Sequence, residues 1–190
     1  YDVFGTYIKE FIKNENDVLS ERQVPLNHLS ITKKLLFSNP MNHVTVFFKK
    51  SLIERFSNPN FYPNIDGFED YALWSKMIFS GVKFINFPIT TVYVRIGDEM
   101  LKRRGGIKYL LKEIKFRFYL LKFIKKKMIP LNFFICLIRI IAFASPTFIK
   151  KNIYRMIRKN SYTKLNDNKN IDELPLIIKN KKLKAKYKNK

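Results

Sequence analysis

A chain of 190 residues with 46% hydrophobic content is long enough for one packed domain plus an appendage. Its single cysteine, Cys136, excludes an internal disulfide and fits a reducing compartment. The net charge of +22 calls for a polyanionic surface nearby, an anionic membrane leaflet or nucleic acid, although A·T-rich coding (abundant Lys, Asn, Ile and Phe) accounts for part of it.

The opening YDVFGTYIKEF has no signal-peptide pattern and reads as the interior of a larger protein. Its alternation predicts a strand over residues 1–11, with Gly5 as a bulge or a point of close approach. Asn14 to Arg22 reads as a polar loop. Leu29, Ile31, Leu35 and Leu36 predict a short helix over His28 to Phe37. A turn at Asn39-Pro40-Met41-Asn42-His43 follows, then a strand from Val44 to Phe48. Ser51 suits the N-cap of a helix from Leu52 to Phe56. Residues 57–67, with Asn58-Pro59 and Tyr62-Pro63, form a loop; its Phe61 and Tyr62 pack within it or stack on a ligand.

The stretch DGFEDYALWSKMIFSG, residues 66–81, is the richest in chemistry. Tyr71, Trp74, Met77 and Ile78 recur at helical spacing, Ser75 and Lys76 fall off that face, and Gly81 is a C′ stop. Glu69 and Asp70 then sit at the helix start, on a rigid element at a loop edge. In the simpler reading they complement the helix dipole, worth under about 1 kcal/mol each. In the other they meet a ligand. Strands over Val82 to Phe87 and Ile89 to Val94 follow, separated by a turn at Pro88. Arg103-Arg104-Gly105-Gly106 suits a loop whose guanidiniums meet an oxyanion, or a solvated basic turn.

Residues 107–127 predict an amphipathic helix with Ile107, Leu110, Leu111, Ile114, Phe118, Leu121 and Ile124 on one face and lysines on the other. Pro130 breaks it. Leu131 to Ala144 is apolar except for Asn132 and Arg139, and at about fourteen residues falls short of the ~20 that span a bilayer. The two segments read as an interfacial membrane anchor or as a packed helix pair. Residues 160–190 have the composition of a disordered basic tail. No Cys/His cluster with zinc spacing and no Gly-rich phosphate loop occurs in the sequence.

The ordered blocks NPMNHVTVFFKKS, GFEDYALW, SGVKFINFP and VYVRIGDEMLKRRGG, within about residues 1–125, resemble the second half of family 2 (GT-A type, inverting) glycosyltransferases of bacterial surface-polysaccharide or lipopolysaccharide synthesis. The resemblance implies an α/β fold: the C-terminal part of a GT-A (Rossmann-like) domain in residues 1–106, an amphipathic helical appendage in 107–159 and the basic tail in 160–190. It implies Asp70 as the base that deprotonates the acceptor hydroxyl, with Glu69 orienting it or bonding the acceptor. His43, Asn42 and Asp66 become substrate-contacting candidates, Asp66 the weakest, and Arg103 and Arg104 candidates for the leaving diphosphate.

The family's metal-binding D-x-D motif occurs nowhere in this sequence. A divalent cation, Mg or Mn, is therefore expected only in a full-length enzyme, and this chain alone is expected to be inactive. The implied partners are a nucleotide-sugar donor, a glycan or glycolipid acceptor and the anionic inner face of the cell membrane, at a cytoplasmic, peripheral location, with no nucleic acid expected. The competing reading is a non-catalytic, basic nucleic-acid- or membrane-surface-binding protein.

Overall fold

The computed structural model describes residues 1–97 and 106–144, the side chains of 142–144 excepted. Arg103, Arg104 and the basic tail lie outside the described residues. The architecture is mixed α/β, organised around one central strand.

That strand is β1 (Val3–Phe11), rich in the β-branched and aromatic residues that suit a pleated surface and buried on both faces. One edge of β1 pairs in parallel with β4 (Phe84–Arg95) along its whole length. The other edge is shared by two antiparallel strands. β2 (Val18–Arg22) pairs with the end of β1, and the two-residue β3 (Phe47–Phe48) with its beginning.

Several local expectations change. Residues 18–22 are a strand rather than loop; their exposed, polar-punctuated pattern is that of a solvated edge. The expected strand from Val44 shortens to β3, because His43–Thr45 form a 3₁₀ turn. The Thr45 hydroxyl accepts the Thr6 N–H at 2.9 Å, so a side chain does there what a ladder partner would do. The two expected strands around Pro88 are one. Proline lacks the N–H for a ladder, and the register shifts between Thr6 and Ile8 let β4 carry Pro88 past β1 without breaking. Gly5 is a point of close approach: a Cβ there would lie 2.3 Å from Asn86 Oδ1 and 2.8 Å from Met41 Cε.

Between β1 and β4 run α1 (His28–Lys34), α2 (Ser51–Phe56) and α3 (Glu69–Phe79). Asn27 caps α1, its Oδ1 accepting the Ser30 N–H at 2.9 Å. Ser51 is the first residue of α2, not its cap; Lys50 holds that position without a side-chain bond. α3 is buried all round from Tyr71 to Phe79, so Ser75 and Lys76 are not on a solvent face. Their polar atoms are satisfied inside, Ser75 Oγ on the Tyr71 carbonyl at 2.8 Å and Lys76 Nζ on the Phe56 carbonyl at 2.9 Å. The helix ends in a Schellman motif: Gly81, at φ 89°, donates to Ile78, and Val82 donates to Met77.

α4 (Gly106–Leu120) stops seven residues short of the predicted Lys127 and leads through a turn and a short 3₁₀ segment to α5 (Ile129–Ala144). Pro130 falls in the first turn of α5, where its missing N–H costs nothing. The buried face of α4 is Leu110, Glu113, Phe116, Arg117 and Leu120. Ile107, Leu111 and Phe118, placed by periodicity on the apolar face, are 68%, 58% and 56% exposed. Phe116 and Leu120 join Trp74, Phe79 and Phe84 in one hydrophobic core, so α4 is built into the front of the molecule.

Candidate functional site

A cleft of about 350 Å³ opens where the far end of β1, the segment after α1, the start of α3 and the helices α4 and α5 converge. Asp70 lines it from the first turn of α3, and both carboxylate oxygens are held. Oδ1 accepts the Tyr71 N–H at 2.7 Å, a helix-start donor with no partner inside the helix. Oδ2 accepts from Asn39 Nδ2 at 2.8 Å. Asn39 is itself fixed, its Oδ1 accepting the Met41 N–H at 3.1 Å. A carboxylate has about four lone-pair directions. Two bonds therefore orient Asp70 and leave capacity for a ligand hydroxyl.

Glu69 points elsewhere. Its Oε1 takes the Gly67 N–H at 2.9 Å, tying down the loop that enters α3, and it is not among the cleft residues. Gly67 itself has φ 76°, the left-handed backbone this turn requires. Asp66 is exposed and pairs with Lys112 at 2.5 Å, also outside the cleft. His43 lines the cleft and is exposed, its ring meeting Tyr62 edge-on at 6.1 Å and Trp74 at 6.0 Å. The Tyr62 hydroxyl is pushed above its ordinary pKa by burial and then by the charge of Asp70. Asn42, also in the cleft, is buried; its Nδ2 bridges the Thr6 carbonyl at 2.7 Å and the Arg22 carbonyl at 3.2 Å, while its Oδ1 accepts no hydrogen bond. The structure thus brings together Asp70, His43 and Asn42, and keeps Glu69 and Asp66 outside.

Comparison with known proteins sets this cleft in context. The chain is 34% identical over 157 residues, 82% of its length, to the UDP-Gal:alpha-D-GlcNAc-diphosphoundecaprenol beta-1,3-galactosyltransferase of Escherichia coli. It is 38% identical over 105 residues, 55% of its length, to an uncharacterized glycosyltransferase of Haemophilus influenzae. With the amylovoran biosynthesis glycosyltransferase AmsE of Erwinia amylovora it shares 28% over 111 residues, 58% of its length. The chain is a relative of glycosyltransferases. The matches cover 54%, 38% and 40% of those three proteins respectively, so the chain spans about half the length of these relatives or less. No protein-family profile and no solved structure matches it.

Glycosyltransferases of the type resembled use a divalent cation. Among the described residues no group of three or more His, Cys, Asp or Glu side chains is placed to hold one.

Sequence reasoning missed the residue that aims Asp70. Asn39 was visible only as part of a turn before proline, and its reach to α3 is a tertiary contact. It also missed a group of charges in the same cleft: Arg22, Lys34, Glu113, Arg117 and Arg139. Glu113 and Arg117 are a buried pair one helical turn apart at 3.3 Å, and Arg139 from α5 approaches the same carboxylate oxygen at 3.5 Å. Arg117 and Arg139 both donate to the Phe37 carbonyl, at 3.4 and 3.0 Å, and Arg22 donates to the Asn39 carbonyl at 3.2 Å. Residues 36–39 are thus clamped by three guanidiniums on one side while Asn39 holds Asp70 on the other.

Proposed function

We propose that this chain is the acceptor-side part of an inverting, GT-A type family 2 glycosyltransferase, which moves a sugar from a nucleotide-sugar donor to a lipid-linked glycan. The observation that carries the reading is Asp70, presented to an open cleft with both oxygens held by Tyr71 N–H and Asn39 Nδ2. In a direct displacement, the acceptor hydroxyl attacks the anomeric carbon of the donor while Asp70 takes its proton. The new C–O bond forms as the bond to the nucleotide diphosphate breaks, and the diphosphate leaves with that electron pair. A base held by two hydrogen bonds does not have to reorient as the proton moves. His43, exposed in the cleft, is a candidate contact for the sugar, while the buried Asn42 supports the cleft wall through its Nδ2 bonds to the Thr6 and Arg22 carbonyls.

The lipid-linked acceptor follows from the Escherichia coli relative, whose name specifies a GlcNAc-diphosphoundecaprenol, and from the exterior of α5. Phe133, Phe134, Leu137, Ile138 and Ile141 are all more than a third exposed there, and Lys125, Lys126 and Lys127 precede the helix. An apolar face flanked by cations supports peripheral attachment to the anionic inner leaflet. Among the described residues no helix is long and apolar enough to cross a membrane.

The test uses the full chain with UDP-galactose and a short-chain GlcNAc-diphospholipid. Calorimetry should detect the lipid-linked sugar and a several-fold loss of affinity in Asp70→Ala, while transfer by the chain alone stays at the level of the Asp70→Asn control. Binding of UDP-galactose with none of the lipid-linked sugar would assign the cleft to the donor and defeat the reading.

A further inference from the structure

A sugar is amphipathic: hydroxyls circle its rim, and the C–H bonds of its two faces are apolar. A site for one needs a polar group at the rim and a flat apolar surface against a face. Asp70 supplies the first, and the second stands beside it. Tyr62, on the loop between α2 and α3, is 40% exposed. Its phenol pKa is raised by burial and then by the charge of Asp70, so the ring and the carboxylate lie within electrostatic reach of one another. His43, exposed at the cleft wall, meets the Tyr62 ring at 6.1 Å with the two planes 81° apart. Two aromatic surfaces thus form a corner next to the carboxylate.

The corner is held from behind. Phe61 meets Tyr62 edge-on at 5.2 Å and packs on Phe48 at 5.5 Å, and both phenylalanines lean on the hydrophobic core. The His43 ring lies 6.0 Å from that of the fully buried Trp74, one turn along α3 from Asp70. An aromatic side chain braced in this way loses little freedom when a ligand settles on it. Other rings at the cleft are engaged differently. Phe68 and Tyr71 are buried and spend their faces on Phe116, at 5.2 and 4.2 Å. Phe37 is exposed, but it stands at the clamped end, where Arg117 and Arg139 take its carbonyl.

We propose that Tyr62 and His43 form an aromatic platform for the sugar of the lipid-linked acceptor, taking its apolar C–H face and turning one hydroxyl toward Asp70. The inference rests on the acceptor reading above and assigns the residues that hold the sugar, as distinct from the base that deprotonates it. Two surfaces fixed nearly at right angles restrict the tilt of a pyranose between them, so one hydroxyl rather than its neighbours reaches the carboxylate.

Calorimetry on the full chain with three probes tests it: GlcNAc-α-diphosphoundecyl, the same diphosphate with a methyl group in place of the sugar, and UDP-galactose. Wild type should prefer the sugar-bearing probe to its methyl counterpart. Tyr62→Leu keeps an apolar side chain but removes the flat ring, and should cut that preference about five- to tenfold. Tyr62→Phe should keep it within about twofold. A circular dichroism melt matching that of wild type shows that each variant is folded. Should Tyr62→Leu fail to fold, His43→Leu strips the other surface and should cut the preference at least about threefold. An unchanged preference in the folded leucine variant overturns the platform and leaves the acceptor reading standing. So does a preference lost as fully in Tyr62→Phe, which would mean that the hydroxyl acts and not the ring. Equal affinity of wild type for the first two probes, or a loss confined to UDP-galactose, also overturns the platform. If the sugar-bearing probe does not bind wild type, both inferences fall.

Discussion

Replacing Glu113 by Gln keeps the shape of the side chain and removes the one charge that two guanidiniums share. The Glu113 and Arg117 side chains are only 5% and 3% exposed, so solvent cannot take over the lost interaction. Breaking a buried pair by removing one partner costs about 3–5 kcal/mol. The lower end applies here, because the contacts at 3.3 and 3.5 Å are long for charge-assisted bonds and Arg117 keeps the Leu36 and Phe37 carbonyls. A loss of about 3 kcal/mol is a large share of the roughly 5–15 kcal/mol that stabilises a typical domain. Urea unfolding followed by far-ultraviolet circular dichroism measures it. Arg117→Met and the double variant complete a cycle whose coupling should be about 2 kcal/mol. Because Arg117 and Arg139 clamp residues 36–39, Glu113→Gln should also loosen Asn39 and weaken binding of the GlcNAc-diphospholipid. A shift below about 0.5 kcal/mol would mean the pair is effectively solvated and the clamp is not electrostatic.

Gly5→Ala should destabilise by about 1–3 kcal/mol, the usual cost of overpacking, because Asn86 is held by the Pro25 carbonyl at 2.6 Å and Met41 is fully buried, so neither yields easily; a urea midpoint equal to that of wild type would refute the close approach. His28 supplies a pH dependence. Its Nδ1 accepts the Phe84 N–H at 3.2 Å, and burial, then Lys83, lowers its pKa from 6.5 to about 4. With the folded value below the unfolded one, its contribution is complete above pH 6.5 and is lost as pH falls towards 4, by up to about 3 kcal/mol. His28→Gln should flatten that part of the stability profile, and an unchanged slope between pH 6.5 and 4 would refute it.

Much of the fold was legible because it is written locally. β1 announces itself through β-branched and aromatic residues, α3 through its periodic apolar positions and its Gly81 stop, and the start of α5 through Pro130. What was not legible depends on partners far away in sequence. Thr45 leaves the strand pattern because its hydroxyl serves Thr6, a contact that no window around residue 45 contains. Pro88 reads as a turn in isolation; the register shift that accommodates it belongs to β1 as much as to β4. On α4, periodicity put Phe118 on the apolar face and did not include Arg117 in it. The structure reverses this because Glu113 and the carbonyls of residues 36 and 37 make burying Arg117 affordable.

The candidate site divides along the same line. A helix start carrying Glu69 and Asp70 is a local signal, yet adjacent residues on a helix point about 100° apart, and only one of them can face the cleft. Gly67 decides which, by offering its N–H to Glu69. The cations come from β2, α1 and α5, and no motif joins them. One sign of them was nevertheless present in the sequence. In an apolar helix packed by its apolar side, the polar residues mark solvent. In α5 the pattern is inverted: Phe134, Leu137 and Ile141 face out, while Asn132 donates to the Arg117 carbonyl and Arg139 to the Phe37 carbonyl. Two polar residues seven apart lie on one face, two turns along. Once the helix is seen to present its apolar side outward, that polar pair identifies the face against the protein, and Arg139 becomes the residue that joins α5 to the cleft holding Asp70.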